Sequence, residues 1–146
     1  MPLVRIYNES NNFDPDYETP ESAGVDLRAN RGGIIQPGET QLVGTGLYME
    51  IPKGYEGQMR PRSGLALKKG ISLTNSPGTV DSDYRGEIGI ILINHGKNSF
   101  MWEPGDRLAQ MVFAPVVQMD FEQVEFLDEL DETERGEGGY GSTGVS

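Results

Sequence analysis

Residues 88–93 read Ile-Gly-Ile-Ile-Leu-Ile and carry apolar side chains at both the odd and the even positions. Side chains of a β-strand alternate between its two faces, so a strand of this composition is expected to be covered on both. We therefore predict a central strand here. A trimer core can supply the cover on its second face.

Turn-forming residues surround this stretch in both directions. The 146 residues include 20 Gly and 9 Pro, and only residues 116–135 run for twenty positions without either. Glycine and proline at this frequency leave little room for long helices. They favour an all-β protein of about nine short strands, arranged as a jelly roll or barrel. We also predict one short helix over Ser63–Lys69 and a hairpin over Leu73–Asp81. The predicted strands are Leu3–Tyr7, Ile34–Ile35, Gln41–Val43, Leu47–Ile51, Gly57–Arg60, Ile71–Leu73, Ile88–Ile93, Arg107–Phe113 and Glu122–Leu127.

The composition excludes several kinds of chemistry. The chain has no Cys and a single His, so disulfides, thiolate catalysis and His- or Cys-based metal sites are ruled out. Carboxylates, hydroxyls, amides and arginines remain. No apolar run approaches about 18 residues, and residues 1–5 lack the pattern of an export signal. We therefore expect a soluble, cytoplasmic protein with no membrane partner.

The negative charge is concentrated near the C-terminus. Of the net charge of −11, residues 120–137 supply −8 through nine acidic side chains and Arg135. Four of the twelve basic residues lie within residues 60–69, which is a patch suited to a small phosphorylated ligand. Long nucleic acid is a poor partner, because that binding mode needs many bases along one face.

Three short motifs each allow two interpretations. Residues 135–144, Arg-Gly-Glu-Gly-Gly-Tyr-Gly-Ser-Thr-Gly, form either a flexible tail or a loop that wraps phosphate oxygens. Asp81 and Asp83, which would share one face of a strand, are either solvated or paired for metal or base chemistry. Arg62-Ser63-Gly64 either begins a helix or contacts phosphate.

The order of the motifs along the chain is more specific than any one of them. Five segments resemble, in sequence, the five motifs of the trimeric dUTP pyrophosphatases (dUTPases), and together they span residues 23–144. They are Ala-Gly-Val-Asp-Leu-Arg-Ala at 23–29, Pro-Arg-Ser-Gly-Leu-Ala at 61–66, residues 75–94 with Gly-Thr-Val-Asp-Ser-Asp-Tyr-Arg-Gly at 78–86, Gly-Asp-Arg-Leu-Ala-Gln at 105–110, and residues 135–144.

This resemblance implies a fold and a reaction. The fold would be a distorted jelly roll over residues 1–134, assembled as a homotrimer whose active sites combine several subunits. Residues 135–146 would form a glycine-rich arm that closes the site of a neighbouring subunit. The enzyme would hydrolyse dUTP to dUMP and pyrophosphate, which limits uracil in DNA and supplies dUMP for dTMP synthesis.

The resemblance also assigns roles to individual residues. Asp81 would activate the water that attacks the α-phosphorus, and Tyr84 would pack beneath the deoxyribose and exclude a 2′-hydroxyl. Uracil would be read by Asn75 with backbone of the adjacent loop and the strand opposite. The backbone positions are Gly78, Thr79, Val80 and Gly89.

The triphosphate would be bound by two further groups of residues. The α- and β-phosphates would contact Arg62, Ser63, Gly64 and Gln110, and the γ-phosphate would contact Arg135, Gly141, Ser142 and Thr143.

Tyr140 would stack on uracil where the family often has Phe, while Glu137 replaces a residue that is commonly Ser. Mg²⁺ would be held mainly by triphosphate oxygens and water. Asp26 would either hold a metal-bound water or stabilise the fold with Arg107.

Two other functions remain as alternatives. The related dCTP deaminases, including bifunctional deaminase-dUTPases, have a catalytic Glu at a position that we align with Ile91, and Ile cannot transfer protons. A regulatory protein partner is the other alternative, because some phage dUTPases bind repressors and the acidic stretch offers a surface for such contacts.

Overall fold

Ten β-strands and one short α-helix make up the regular structure, in a computed structural model that describes residues 1–146. The strands are β1 (Arg5–Asn8), β2 (Gly24–Arg28), β3 (Gly33–Ile35), β4 (Thr40–Glu50), β5 (Tyr55–Pro61), β6 (Ile71–Leu73), β7 (Gly78–Val80), β8 (Glu87–Asn94), β9 (Phe100–Trp102) and β10 (Arg107–Pro115). The helix α1 covers Ser63–Lys69, and a single 3-10 turn covers Leu127–Glu129.

The strands form two four-stranded sheets and a small third one. The orders are β1-β4-β8-β6, β2-β10-β5-β7 and β3-β9, and every pairing is antiparallel. Nineteen buried hydrophobic residues, drawn from all three sheets, form one continuous core. The predicted all-β jelly roll is therefore confirmed. No helix has the length and apolar character needed to cross a membrane.

Strand β8 contains the apolar stretch 88–93 and lies inside its sheet, between β4 and β6. Its even-numbered positions face the core, where Ile88, Ile90 and Leu92 are at most 2% exposed. Its odd-numbered positions are only half-buried, and Leu42, which pairs with Ile91, is 69% exposed. The central position is confirmed, but one chain by itself covers only one face of the strand.

Several predicted strands have different bounds in the structure. The segments Gln41–Val43 and Leu47–Ile51 belong to the single strand β4, whose pairing with β8 shifts register between Gly44 and Tyr48. The predicted strand Glu122–Leu127 is wrong, since this stretch is irregular. Strands β2 and β9 are absent from the predicted set, whereas β7 corresponds to the second strand of the predicted hairpin.

The predicted hairpin over Leu73–Asp81 is also wrong. Strand β6 pairs with β8 in one sheet, whereas β7 pairs with β5 in the other. Residues 74–77 therefore form a connection between two sheets and not a hairpin turn. This crossing places the loop at the edge of both sheets.

The helix Ser63–Lys69 is confirmed. It ends at Gly70, whose φ of 68° lies in the left-handed region and whose N–H donates to the Ala66 carbonyl. Lys68 and Lys69 occupy the last turn, where the helix dipole favours positive charge. The helix follows β5 directly and so fixes Arg62 at the end of that strand.

The C-terminal segment, residues 116–146, contributes nothing to the core. All buried residues of the chain lie between Val25 and Met111. The segment nevertheless carries large apolar side chains, and Phe121 is 96% exposed. Its first residue is joined to the body, where the Val116 N–H donates to the Gly54 carbonyl at 2.9 Å, but none of its residues is buried.

Candidate active site

A cavity of about 160 Å³ lies where β7 and the start of β8 meet β5. It brings together seven of the residues that the sequence singled out. Its lining consists of Met59, Asn75, Gly78, Thr79, Val80, Asp81, Tyr84, Glu87, Ile88 and Gly89. We call this space the nucleoside cavity.

The connection between β6 and β7 positions Asn75 at this cavity. The Thr74 N–H donates to the Ile91 carbonyl at 2.9 Å, and the Ser76 hydroxyl donates to the Leu73 carbonyl at 2.7 Å. Gly78 leaves the room that the Asn75 amide occupies, because a Cβ there would lie 2.9 Å from its Nδ2. The amide makes no hydrogen bond within the chain and so offers a free donor and a free acceptor.

Asp81 follows β7 at the mouth of the nucleoside cavity. Its carboxylate is exposed and makes no hydrogen bond or ion pair. The same residue also lines a larger cleft of about 760 Å³ together with Asp83. Residues 81–86 form a turn, so the strand on which the two carboxylates were expected to share a face does not exist. A free carboxylate in this place can accept a proton from a bound water.

A second group of predicted residues lies where β2, β5 and β10 adjoin. The Asp26 carboxylate binds Arg62 Nε at 3.1 Å through Oδ1 and Arg107 Nη1 at 3.3 Å through Oδ2. Arg62 also donates from Nη1 to the Arg107 carbonyl at 3.3 Å. Two guanidinium groups share one carboxylate, so the cluster keeps a net positive charge.

Other predicted phosphate contacts surround this cluster. Gln110 is paired across the sheet with Asp26 and donates from Nε2 to the Pro61 carbonyl at 3.0 Å. Ser63 and Gly64 are exposed in the first turn of α1. Hydroxyl, backbone N–H and guanidinium groups therefore converge at one end of β5, and we call this group the arginine cluster.

Asp81 and the arginine cluster lie at opposite ends of β5, although the nucleoside cavity itself reaches Met59 in the middle of the strand. Val80 pairs with Gly57, which places Asp81 beside Glu56, whereas Arg62 follows the last residue of the strand. Six residues at about 3.3 Å each separate these positions by roughly 20 Å. A single chain does not bring Asp81 and Arg62 to the same phosphate.

The predicted arm residues are not brought to the cavity either. The Arg135 Nε donates to the Gly138 carbonyl at 2.7 Å, so the guanidinium is used within the arm itself. Gly141, Ser142 and Thr143 are all exposed. Tyr140 is fully exposed, and its φ is 49°. In one chain, no hydrogen bond joins the arm to either group of site residues.

No group of three or more acidic or histidine side chains is arranged to hold a metal ion. Asp26 already uses both carboxylate oxygens for arginines, whereas the Asp81 carboxylate is open. Such a donor set fits Mg²⁺ that arrives on a triphosphate, because Mg²⁺ keeps its waters and needs few protein ligands. The geometry favours a role for Asp26 in stabilising the fold.

Sequence reasoning missed three residues of the nucleoside cavity, which are Met59, Glu87 and Ile88. Met59 projects from β5 into the cavity, as its alternation with Gly57 on a buried face could have indicated. Glu87 also lines it, and its Oε1 accepts a hydrogen bond from the Gly46 N–H at 2.8 Å. No local signal marks this contact, since the two residues are 41 positions apart.

Comparison with known proteins agrees with this geometry. Residues 11–144 match the family model described as dUTPase. The chain is 57% identical over 130 residues to the deoxyuridine 5′-triphosphate nucleotidohydrolase of Nautilia profundicola, covering 89% of each chain. It is 56% identical over 132 residues to the enzyme of the same name from Syntrophotalea carbinolica, covering 89% of this chain and 88% of that one. The structure of the Staphylococcus bacteriophage 80alpha dUTPase with dUPNHPP superimposes with a TM-score of 0.88 at 26% identity, covering 98% of this chain and 99% of that one.

Proposed function

The chain belongs to the dUTPase family and hydrolyses dUTP to dUMP, and we propose that Asp81 activates the water that attacks the α-phosphorus. The water oxygen forms a bond to that phosphorus while the bond to the bridging oxygen of the β-phosphate breaks. Asp81 accepts the proton, and pyrophosphate leaves. The observation that carries this proposal is the unengaged Asp81 carboxylate at the mouth of the nucleoside cavity.

The nucleoside cavity is suited to select uracil and deoxyribose. The free Asn75 amide can donate to one polar atom of the base edge and accept from another, which matches uracil and mispairs with cytosine. The close approach of Asn75 to Gly78 keeps the loop narrow. Tyr84 stands beside Asp81 in the same cavity, where its ring would lie under the sugar. The backbone of Thr79, Val80 and Gly89 completes the base-binding wall.

The 20 Å separation along β5 supports a site shared between subunits. A phosphate near Asp81 can reach an arginine cluster only if Arg62, Ser63, Gly64 and Gln110 come from another copy. The half-exposed apolar face of β8 and the exposed Leu42 offer a surface for such an assembly. We therefore place the reaction in a homotrimer, with the nucleoside cavity of one subunit facing the arginine cluster of its neighbour.

The arm, residues 135–146, would complete the site from a further subunit. Arg135 with Gly141, Ser142 and Thr143 would bind the γ-phosphate, and Tyr140 would stack on uracil. The φ values at Gly136, Tyr140, Gly141 and Gly144 are all positive, so the arm follows a series of tight turns in which several of its N–H groups donate to nearby carbonyls. Glu137 adds a negative charge to this segment.

Mg²⁺ would be held mainly by oxygens of the triphosphate and by water. When bound, it neutralises part of the charge that develops on the leaving pyrophosphate. The chain itself positions the α-phosphorus, accepts the proton at Asp81 and supplies fixed positive charge through the arginines.

The replacement of Asp81 by Asn tests the proposed base. We expect Asp81→Asn to reduce pyrophosphate release from dUTP at least about a thousandfold, as removal of a general base with its orienting role does. Binding of a non-hydrolysable dUTP analogue, measured by calorimetry, should persist. Asp83→Asn in the same turn is the matched control and should retain turnover. Normal turnover by Asp81→Asn would overturn the assignment.

A further inference from the structure

We propose that Gly86 and Glu87 are positioning residues, which hold the ring of Tyr84 against the nucleoside cavity and so set the preference for deoxyribose over ribose. This inference rests on the proposed role of Tyr84. Neither residue is expected to touch the reacting atoms. Each acts by restricting where the tyrosine ring can lie.

The first observation is the absence of space for a side chain at Gly86. A Cβ built there would overlap Tyr84 Oη and would lie 2.6 Å from Cζ and 2.9 Å from Cε2. The φ of Gly86 lies outside the left-handed region, so the backbone dihedral does not itself call for glycine. The glycine instead leaves the room that the Tyr84 ring occupies in this position.

The second observation is the hydrogen bond at the far end of the ring. Tyr84 Oη donates to the Glu87 carbonyl at 2.9 Å. At the other end of the same residue, the Tyr84 N–H donates to the Asp81 carbonyl at 3.1 Å. The side chain is thus fixed both at its backbone and at its hydroxyl, although it is 45% exposed.

The third observation is that Glu87 is itself anchored to another strand. Its Oε1 accepts a hydrogen bond from the Gly46 N–H at 2.8 Å. The carboxylate also lies over Gly44, where a Cβ would come within 2.8 Å of Oε1. Gly44 and Gly46 belong to the irregular part of β4, so this part of the strand holds Glu87 in place, and the Glu87 carbonyl holds Tyr84.

These contacts have a consequence for sugar selection. A ribonucleotide carries one additional hydroxyl, which fits only if the tyrosine ring moves away. A ring that lies over a glycine and is held by a hydrogen bond at its tip resists that movement, and a steric clash of this kind discriminates well. A side chain at position 86 would push the half-exposed ring toward solvent without disturbing the core.

A double-mutant cycle on substrate selectivity tests the role of Gly86. The measured quantity is the ratio of kcat/KM for dUTP to kcat/KM for UTP in the wild type, Gly86→Ala, Tyr84→Ala and the double variant. We expect Gly86→Ala to lower this ratio about tenfold, which is the usual size of a steric discrimination of this kind. Tyr84→Ala should lower it at least as much, and the double variant should match Tyr84→Ala.

The outcomes separate the inference from the function on which it rests. An unchanged ratio in Tyr84→Ala would overturn the proposed sugar contact. A lowered ratio in Tyr84→Ala with an unchanged ratio in Gly86→Ala would overturn the inference alone. A further loss from Gly86→Ala in the Tyr84→Ala background would also overturn it, because the glycine would then act independently of the ring.

Glu87 is tested by a conservative and a non-conservative variant. Glu87→Gln keeps an acceptor oxygen for the Gly46 N–H and should retain the ratio. Glu87→Ala removes it and should lower the ratio about fivefold, which is the size expected for one lost hydrogen bond. Thermal unfolding verifies that both variants fold. Equal ratios in the two variants would remove Glu87 from the proposal.

Discussion

The loop over residues 74–87 and the C-terminal segment over residues 116–146 are both largely irregular and exposed, yet they are held in different ways. The loop is fixed to distant strands, through the Thr74 N–H to Ile91 and the Glu87 carboxylate to Gly46. In the C-terminal segment, every hydrogen bond beyond Val116 joins residues at most four positions apart. The loop is therefore preorganised by the fold, whereas the segment has only its own turns.

This difference predicts how each region contributes to catalysis. A preorganised cavity binds its ligand without the cost of ordering side chains and backbone. A segment without core contacts is ordered only when a partner subunit and a ligand contact it, so part of the binding energy is used for that ordering. Substitutions in the core should change the free energy of unfolding, whereas substitutions in the arm should change the rate of dUTP hydrolysis.

The largest effect is expected from a substitution that leaves a cavity in the core beside the loop. Leu92 is fully buried in β8, and Leu92→Ala should lower the free energy of unfolding by about 3 kcal/mol through the cavity it leaves. Urea unfolding at a fixed protein concentration measures this, because the proposed homotrimer would also be stabilised by mass action. Tyr140→Ala in the arm is the control and should leave the unfolding free energy unchanged. A similar loss in both variants would mean that the arm is part of the folded core.

The next effect should come from removing the arm. Truncation after Glu134 leaves every buried residue in place, so the thermal unfolding midpoint should stay close to that of the full chain. We expect kcat/KM for dUTP to fall about a hundredfold, because groups that orient the triphosphate are lost. Sedimentation analysis should still show the same assembly as the full chain. Near-normal kinetics after truncation would show that the arm does not contribute to the active site.

The smallest effect concerns the aromatic residue of the arm. Tyr140→Phe keeps a stacking ring and should change kcat/KM by less than about twofold, while Tyr140→Ala should lower it about tenfold, the usual value of one stacking contact. Steady-state kinetics with dUTP measures both. If the phenylalanine variant lost as much activity as the alanine variant, the hydroxyl and not the ring would be the part of Tyr140 that matters.

The parts of the fold that the sequence predicted are those with a local signal. The helix Ser63–Lys69 is correct because its stop signal is local: Gly70 follows its last residue directly. The strand Ile71–Leu73 was also correct, but its expected partner was wrong, because the pairing of β7 with β5 depends on residues about twenty positions away. Three-residue strands contain too few side chains to specify a partner.

The same distinction applies to the site. The order of the motifs identified Asn75, Asp81 and Tyr84, and the structure places all three at one cavity. The anchor from Glu87 to Gly46 has no counterpart in the local pattern, since it exists only once β4 and β8 pair. The apolar row of β8 predicted cover on both faces and allowed a trimer core as the second cover, but such a row does not by itself reveal which molecule supplies it.

The placement of Asp81 and Arg62 at opposite ends of β5 has a genetic consequence. In the proposed homotrimer, each chain gives its carboxylate to one reaction centre and its guanidinium to another. Two alleles, one defective only at Asp81 and one only at Arg62, can therefore restore some intact centres when their products co-assemble in one cell. Defects at the two ends of this strand are expected to complement each other, while two defects at the same end are not.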